Sequence, residues 1–352
     1  MKYIKPKRIK QLAADFGLPR IIITLYLFGL FLAAPFVGVD LPASISDTMI
    51  RIGMNGIMVL ALVPMIQSGC GLNFGLSLGV IAGLLGATIS IEAGLIGAWG
   101  FIVAISISQG FGAVFGYGYG KLLNRVKGGE MMIATYVGFS SVMIMSIAWL
   151  ILPFKSPTMI WGYGGTGLRT TISVEGFWRH ILDDFLVIQI GDNFKFPTGA
   201  VLIFILMSLL IWVFFHLKTG TAITAVGSNP TYARASGINI DRMRIVSVMM
   251  STMLGALGIL IFEQSFGFIQ LYEGPLYMAF PAVAAILIGG AGVNKATLTN
   301  VFIGAALYQG ILTMTPSIFN AVLKVDMSDV IRIIVSNGMI LYALTRQTKV
   351  AK

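Results

Sequence analysis

The residues with the clearest chemical purpose lie in a polar, basic insert, Thr219 to Arg244, between two long apolar runs. Its middle, SNPTYARASGIN, predicts one short helix from about Pro230 to Ser236. Asn229 is the expected N-cap, Pro230 the first helical residue and Gly237 the left-handed stop. Because about two turns of helix are not stable alone in water, this helix must be held by packing. The insert therefore predicts a short, capped docking element.

A second group of residues could line a path for a polar solute. Asn55, Gln67, Asn73 and Ser77 are uncharged polar residues in or beside apolar runs, and Phe74 lies among them. In a membrane helix, Asn and Ser either contact a transported solute or hydrogen-bond a neighbouring helix. We therefore treat these five positions as candidate path residues, with helix packing as the alternative for each.

Catalytic chemistry is not indicated. The chain has no Walker A motif (G-x-x-x-x-G-K-[ST]), no H-E-x-x-H and no G-x-S-x-G. One cysteine, Cys70, excludes a disulfide framework, and His180 and His216 are too far apart to suggest a metal site. We expect no catalytic residue, no metal and no cofactor in this chain, which should not hydrolyse a nucleotide by itself.

The elements that must position these residues are membrane spans. Hydrophobic residues make up 57% of the chain and charged residues 11%, and the mean hydropathy is +0.88. Apolar runs of about 18 or more residues indicate an all-α polytopic membrane protein. We predict ten spans, of which the eighth and tenth are short: Arg20–Val39, Ile52–Ser68, Leu72–Ile91, Leu95–Tyr119, Met131–Leu152, Gly199–His216, Ile245–Phe262, Tyr277–Gly290, Leu298–Ser317 and Val330–Leu344.

The distribution of charge predicts the orientation. With the N-terminus inside, the inner segments carry 17 of the 24 Lys and Arg residues. The net charge of +10 therefore belongs to loops between spans and does not indicate nucleic acid. We expect a basic cytoplasmic tail (1–19), a single transmembrane domain (20–345) and a cytoplasmic C-terminal tail (346–352), with an external loop at 153–198 and the cytoplasmic insert at 217–244.

Charged residues are nearly absent from the predicted span centres, and Glu92, Glu130 and Glu263 fall at span ends. This argues against an ion-coupled carrier, which needs ionisable or well-placed polar groups at mid-membrane depth. Two glycine-rich segments, Ser68 to Ala87 and Ile286 to Asn300, fall in spans 2–5 and 7–10. They predict two halves of opposite orientation with interrupted helices, although glycine also serves close helix packing.

Aromatic residues mark the predicted outer face. The external loop carries Trp161, Tyr163, Phe177 and Trp178 together with acidic residues. It is consistent with an amphipathic helix on the membrane surface or with a docking surface for an external partner. Three aromatic residues near the outer mouth form an interfacial belt or a binding cage: Phe266, Phe268 and Tyr272.

The insert resembles a known signature. AVGSNPTYARASGINIDRMRI is similar to the cytoplasmic loop of bacterial ABC-transporter permeases of the ribose/galactose and branched-chain amino acid group. SGCGLNFGLSLG also resembles a family segment, but Asn73 replaces a common aspartate and Cys70 a common glycine. The resemblance runs from about residue 50 to the C-terminus. The positions that fit the loop signature are Gly227, Asn229, Ala233, Arg234, Ser236, Gly237, Ile238 and Asn239, whereas Tyr232 departs from it.

The resemblance implies a subunit of an importer in the bacterial cytoplasmic membrane. Such permeases pair with a second copy or a paralogue, bind two cytoplasmic ABC ATPase subunits that hold the ATP, and receive solute from an external solute-binding protein. The solute would be a simple sugar; a nucleoside, a related small polar solute or an amino acid remains an alternative, as does a self-sufficient ion-coupled carrier. The implied ATPase-coupling residues are Asn229, Pro230, Thr231, Ala233, Arg234, Ser236 and Gly237.

Overall fold

A computed structural model describes residues 18–161, 167–190, 194–272 and 274–350. These residues are mainly helical, as predicted. The α-helices are α1 (Leu18–Ala33), α2 (Leu41–Leu60), α3 (Leu62–Gln67), α4 (Ser77–Glu92), α5 (Gly97–Arg125), α6 (Glu130–Ile151), α7 (Thr198–His216), α8 (Lys218–Ser228), α9 (Pro230–Ala235), α10 (Ile240–Phe266), α11 (Gly274–Ile288), α12 (Leu298–Leu323) and α13 (Ser328–Val350). The strands are β1 (Thr171–Ser173), β2 (Ile188–Ile190), β3 (Phe194–Phe196) and β4 (Phe268–Gln270).

Each of the ten predicted spans coincides with helix in the structure. Eight helical segments of the described chain are long and apolar enough to cross a membrane. The other two predicted spans are the eighth, α11, which has only 15 residues, and the tenth, α13, which is less apolar along its 23 residues. The chain is an all-α polytopic membrane protein.

The second span begins at Leu41 and not at Ile52, so the predicted boundary is wrong. Asp40 caps the helix by accepting a hydrogen bond from the Ala43 amide at 3.4 Å. The polar first turns are tolerated because they pack against protein; Ser46 Oγ, for example, donates to the Lys195 carbonyl of β3 at 2.6 Å. Hydropathy alone could not detect this continuation.

Proline interrupts the same span near its other end. Pro64 has no amide hydrogen for the Leu60 carbonyl, so the helical hydrogen-bond pattern is interrupted at Ala61, between α2 and α3, although Ala61 keeps helical backbone angles. After α3 ends at Gln67, a non-helical segment leads through a 3₁₀ turn, Phe74–Leu76, into α4. We call residues 68–73 the membrane break.

The two predicted halves exchange their first helices. α10, which opens the second half, packs against α4 and α5 of the first half. α2, which opens the first half, packs against α11 and α12 of the second half. Glycine permits close approaches of these helices: a Cβ on Gly79 of α4 would lie 2.5 Å from the Thr252 carbonyl oxygen of α10. This reciprocal packing agrees with two related halves.

The two glycine-rich segments do not occupy matching positions in those halves, contrary to our expectation. Segment 68–87 contains the junction between the first two spans of its half, α2–α3 and α4. Segment 286–300 contains the junction between α11 and α12, which are the second and third spans of the other half. Glycine therefore serves local packing in both segments and is not a marker of the repeat.

The loop at 153–198 contains no α-helix among its described residues, so the surface-helix prediction is wrong there. Instead, β1 pairs with β4 in antiparallel register, with Ile172 opposite Ile269, and β2 pairs with β3. Both isoleucines are fully buried, and Trp178 is buried as well. The loop is thus folded onto the end of α10, while Tyr163 lies outside the described residues.

Candidate functional site

The start of α9 has the predicted geometry. Asn229 adopts an extended conformation and its side-chain Oδ1 accepts the Tyr232 amide at 3.0 Å. Pro230 occupies the first helical position, where its missing amide hydrogen costs no hydrogen bond. The N-cap prediction is confirmed.

The end of α9 is a Schellman motif. The Ile238 amide donates to the Ala233 carbonyl and the Gly237 amide to the Arg234 carbonyl, both at 3.0 Å. Gly237 has φ +78°, in the left-handed region that favours glycine. The predicted stop is therefore confirmed, with Ser236 as the C-cap beyond the last helical residue, Ala235.

One residue fixes α9 to the rest of the insert. The Ala233 side chain is fully buried and packs in a small apolar cluster with Val226 of α8 and Ile240 of α10. It anchors the helix and cannot contact a partner directly, unlike the other positions of the signature. The exposed residues of this docking element are Asn229, Pro230, Thr231, Tyr232, Arg234, Ala235, Ser236 and Gly237.

The insert touches the membrane break through backbone. A Cβ on Gly227, near the end of α8, would lie 2.1 Å from the Gln67 carbonyl oxygen and 2.9 Å from the Gly69 nitrogen. Gly69 in turn has φ +74°, and a Cβ there would lie 3.1 Å from the Gly227 Cα. The backbones of the two segments therefore meet with no side chain between them, and we call this contact of Gly227 with Gln67 and Gly69 the glycine joint.

Gln67 also joins the break to the second glycine-rich segment. Its side-chain Nε2 donates to the carbonyl of Ala296, a buried residue between α11 and α12. Asn300 Nδ2 then donates to the Gly289 carbonyl at 2.8 Å. The insert, the break and the α11–α12 connection thus form one contiguous contact network, and Gln67 serves as a connector in this conformation.

Ion pairs hold the insert to the end of α5 and the start of α6. Arg244 Nη1 lies 3.0 Å from Glu130 Oε1, and both side chains are only 13% exposed. Lys127 pairs with Asp241 at 3.4 Å, where both groups are solvent-exposed. The mostly buried pair fixes the position of α10 more strongly than the exposed one.

Asn73 lies at the centre of a buried hydrogen-bond network. Its Nδ2 donates to Ser251 Oγ at 2.7 Å, and the Tyr119 hydroxyl donates to its Oδ1 at 3.1 Å. Ser251 Oγ donates to the Ala61 carbonyl at 2.6 Å, at the interruption between α2 and α3. Asn73 has no exposed surface, so in this conformation its amide joins helices and does not contact solute.

The remaining candidate path residues are not brought together. Ser77 is buried, whereas Phe74 is half-buried and its ring lies 6.1 Å from that of Phe280 on α11. Asn55 is half-buried on α2, three helical turns before Gln67, and its Nδ2 donates to the Arg51 carbonyl at 3.0 Å. A solute-contacting role for these residues stays a prediction.

Two ionisable residues lie within helices and not at or outside the span ends, where the sequence placed them. Glu263 lies within α10 with 1% exposure, and both carboxylate oxygens have no hydrogen-bond partner among the described residues. Arg51 lies within α2, because that helix begins earlier than predicted. The predicted absence of ionisable groups within the spans, on which our argument against ion coupling rested, is therefore wrong at these two positions. Hydropathy did not give the longer helix bounds that place both residues inside helices.

A cavity of about 340 Å³ opens beside the β1–β4 sheet, at the end of the bundle opposite the insert. Its described lining consists of Thr170, Thr171, Gln270 and Tyr272. The Tyr272 hydroxyl donates to the Leu168 carbonyl at 3.2 Å, and burial raises the pKa of this phenol. Phe268, on the same strand as Gln270, remains exposed.

The fold and this site together define a transport subunit: a multi-pass helical protein that presents a short capped helix for docking and has a network leading from it into the bundle. Comparison with known proteins agrees. The chain belongs to the family described as branched-chain amino acid transport system / permease component, whose family model matches residues 44–342.

Individual relatives lie in sugar import systems. The chain is 24% identical over 260 residues to the ribose import permease protein of Escherichia coli (strain K12), covering 72% of each chain. It is 25% identical over 289 residues to that of Bacillus subtilis (strain 168), covering 79% of this chain and 80% of the relative. It is 24% identical over 345 residues to the xylose transport system permease protein of Haemophilus influenzae, covering 86% and 88%. No solved structure matches the chain.

Family membership establishes the chain as an ABC-transporter permease component of the cell's inner membrane. Such a component has no ATPase of its own, and a partner subunit hydrolyses the ATP. A self-sufficient ion-coupled carrier is therefore no longer the competing hypothesis.

Proposed function

We propose that this chain is the membrane subunit through which a simple sugar, received from an external solute-binding protein, passes into the cytoplasm. Two permease chains, identical or paralogous, would combine with two ABC ATPase subunits. The observation that carries the proposal is α9: it is capped at both ends, anchored by Ala233, and exposed on the rest of its surface. In this arrangement both chain termini lie in the cytoplasm.

A groove on the ATPase would receive α9. The exposed face combines a cationic side chain, Arg234, with the aromatic Tyr232, which is 67% exposed. A guanidinium offers several donors in a fixed geometry, and an exposed tyrosine provides apolar contact area with a polar tip. Such a pair suits a partly acidic, partly apolar pocket on the partner. Arg234 is the polar anchor in this proposal.

The glycine joint provides the route by which ATPase closure would reach the path. Displacement of α9 moves α8, because Ala233 packs on Val226. At the end of α8, Gly227 contacts Gln67 and Gly69 without an intervening side chain, so a shift of the insert displaces the membrane break. Packed elements transmit such shifts because they are bistable and not continuously deformable.

Two observations support sugar as the solute. The relatives include ribose and xylose permeases. The cavity opposite the insert is lined by two hydroxyls, an amide and a phenol, groups that hydrogen-bond a polyhydroxylated ring. Its volume of about 340 Å³ lies within the range of small-molecule sites.

Co-purification from the native host tests the assembly. The wild-type chain should retain an ATPase subunit, whereas Arg234→Glu should lose it and abolish ATP-driven uptake of labelled D-ribose and D-xylose in vesicles. Arg125→Glu, a charge reversal of an exposed arginine at the end of α5, is the matched control and should retain both. Retention of the ATPase and coupled uptake by Arg234→Glu would remove Arg234 from the interface. ATP-driven uptake of a nucleoside but neither sugar would overturn the solute assignment.

A further inference from the structure

One face of α2 carries three polar side chains in successive turns. Asp47, Arg51 and Asn55 follow a spacing of four residues, which places them on one side of the helix over about 12 Å. Arg51 lies about 15 Å along the helix from Leu41. An ionisable side chain at this depth of a spanning segment faces the bundle interior or water and not lipid.

The other side of α2 is already occupied. Gly53 and Gly56 pack against Ala200 and Phe204 of α7, where a Cβ on either glycine would lie within 2.9 Å of the α7 side chain. The polar face keeps accessible surface: Asp47 is exposed, and Arg51 and Asn55 are half-buried. This face is therefore only partly covered by helix packing in the described chain.

The polar groups on this face are not satisfied by one another. Among the described residues, no carboxylate lies within 4.0 Å of the Arg51 guanidinium, and Asn55 uses its amide nitrogen on the Arg51 carbonyl. Arg332, on the first turns of α13, acts electrostatically on Arg51, as does Asp47. Arg332 Nη1 itself lies 3.9 Å from Asp329, and its buried Nε has no described partner.

We propose that Asp47, Arg51 and Asn55 of α2, with Arg332 of α13, form a solute-binding subsite on the outer half of the path for a neutral, hydroxyl-bearing solute. The inference rests on the proposed function and deepens it. Asp329, which lies 3.9 Å from Arg332, belongs to the same cluster, so two arginines and two aspartates make it neutral in sum. It offers guanidinium donors beside carboxylate and amide acceptors, the set that vicinal hydroxyls engage. An anionic solute would gain no net attraction.

Cysteine labelling in intact cells tests both water access and binding. The single native cysteine, Cys70, is 1% exposed, and burial raises the pKa of its thiol, so the background reaction is small. Asp47→Cys and Asn55→Cys should react with a membrane-impermeant methanethiosulfonate at least tenfold faster than two controls. The first control is Ile57→Cys, at a fully buried position of the same helix. The second is Leu209→Cys on α7, where the native side chain is 53% exposed and lipid is expected.

Ligand protection then identifies the solute chemistry. Millimolar D-ribose or D-xylose should slow labelling of Asn55→Cys at least threefold, while D-ribose 5-phosphate should not. Labelling as slow as in both controls, or equally fast with and without sugar, would overturn the subsite, and protection by the phosphate alone would overturn its neutral character. Protection by adenosine alone would keep the neutral subsite but contradict sugar as the solute.

Uptake kinetics separate this inference from the assembly proposed above. Arg51→Met should raise KM for ribose at least tenfold and leave co-purification of the ATPase unchanged, with Arg51→Lys intermediate. An unchanged KM in Arg51→Met would contradict the subsite. If no ATPase co-purified with the wild-type chain, only the assembly would be contradicted, because labelling and protection need no ATPase.

Discussion

The two long polar connections of this permease are built in opposite ways. The insert between α7 and α10 is organised by residues close in sequence: Asn229 caps α9 three residues on, and Gly237 closes it. The loop between α6 and α7 is organised by residues about a hundred positions away, since β1 pairs with β4. The first is organised locally and joins the bundle through the glycine joint and two ion pairs, whereas the second is fastened to the bundle by strand pairing.

α10 connects the two regions. It begins at Ile240, in the last part of the insert, and ends at Phe266, one residue before β4. The His180 amide and the Leu182 amide both donate to Gln264 near its end, at 2.8 and 3.1 Å. A shift of the insert can therefore reach the outer loop along one continuous helix, as well as the membrane break through the glycine joint.

The largest expected effect follows from filling the glycine joint. Gly227→Val should abolish ATP-driven uptake and lower the thermal unfolding midpoint, because its Cβ would lie 2.1 Å from the Gln67 carbonyl. Overpacking of this kind costs about 1–3 kcal/mol or more. Gly110→Ala on α5, where a Cβ meets nothing within 4 Å, is the matched control for uptake and unfolding. Normal uptake by Gly227→Val would show that the joint does not transmit motion.

A smaller effect on transport is expected in the loop between α6 and α7. Ile172→Ala should cost about 2–4 kcal/mol of local stability, because the side chain is fully buried against the bundle. Limited proteolysis of the loop should accelerate, while ATPase retention stays at the wild-type level. Gln189→Ala, at an exposed position of β2, should change neither. Loss of the ATPase in Ile172→Ala would contradict the separation of the two regions.

This contrast also explains what could be predicted. The caps of α9 were predictable because Asn229, Pro230 and Gly237 act on backbone groups within a few residues. The pairing of Ile172 with Ile269 was not, because a three-residue strand has no local signal without its partner. The start of α2 was missed for the same reason: Ser46 is stabilised by Lys195, a contact far away in the sequence.

The candidate path residues show the same limit. Asn73 was predictable as a polar residue in an apolar run, but its partners, Tyr119 and Ser251, come from α5 and α10. Only their convergence shows that its amide is used in packing. Arg51 was placed outside the membrane because the hydropathy of the following residues set the span boundary at Ile52.

The smallest expected effect tests the insert by backbone strain alone. Gly237 and Gly38 have nearly equal φ angles, +78° and +79°, and a Cβ on either meets nothing within 4 Å. Valine at either position should therefore cost similar stability, about 1–2 kcal/mol, through left-handed strain without any clash. At Gly237 the strain is relieved when the end of α9 moves out of its native position. Gly237→Val should therefore weaken ATPase binding about 5–30-fold, the factor that corresponds to this free energy. Gly38→Val, at the end of the 3₁₀ turn after α1, should show the same fall in thermal stability with unchanged ATPase binding. Equal ATPase binding by the two variants would mean that the Schellman turn does not position α9 for the ATPase. The short-range caps that define this helix would then have no effect on docking.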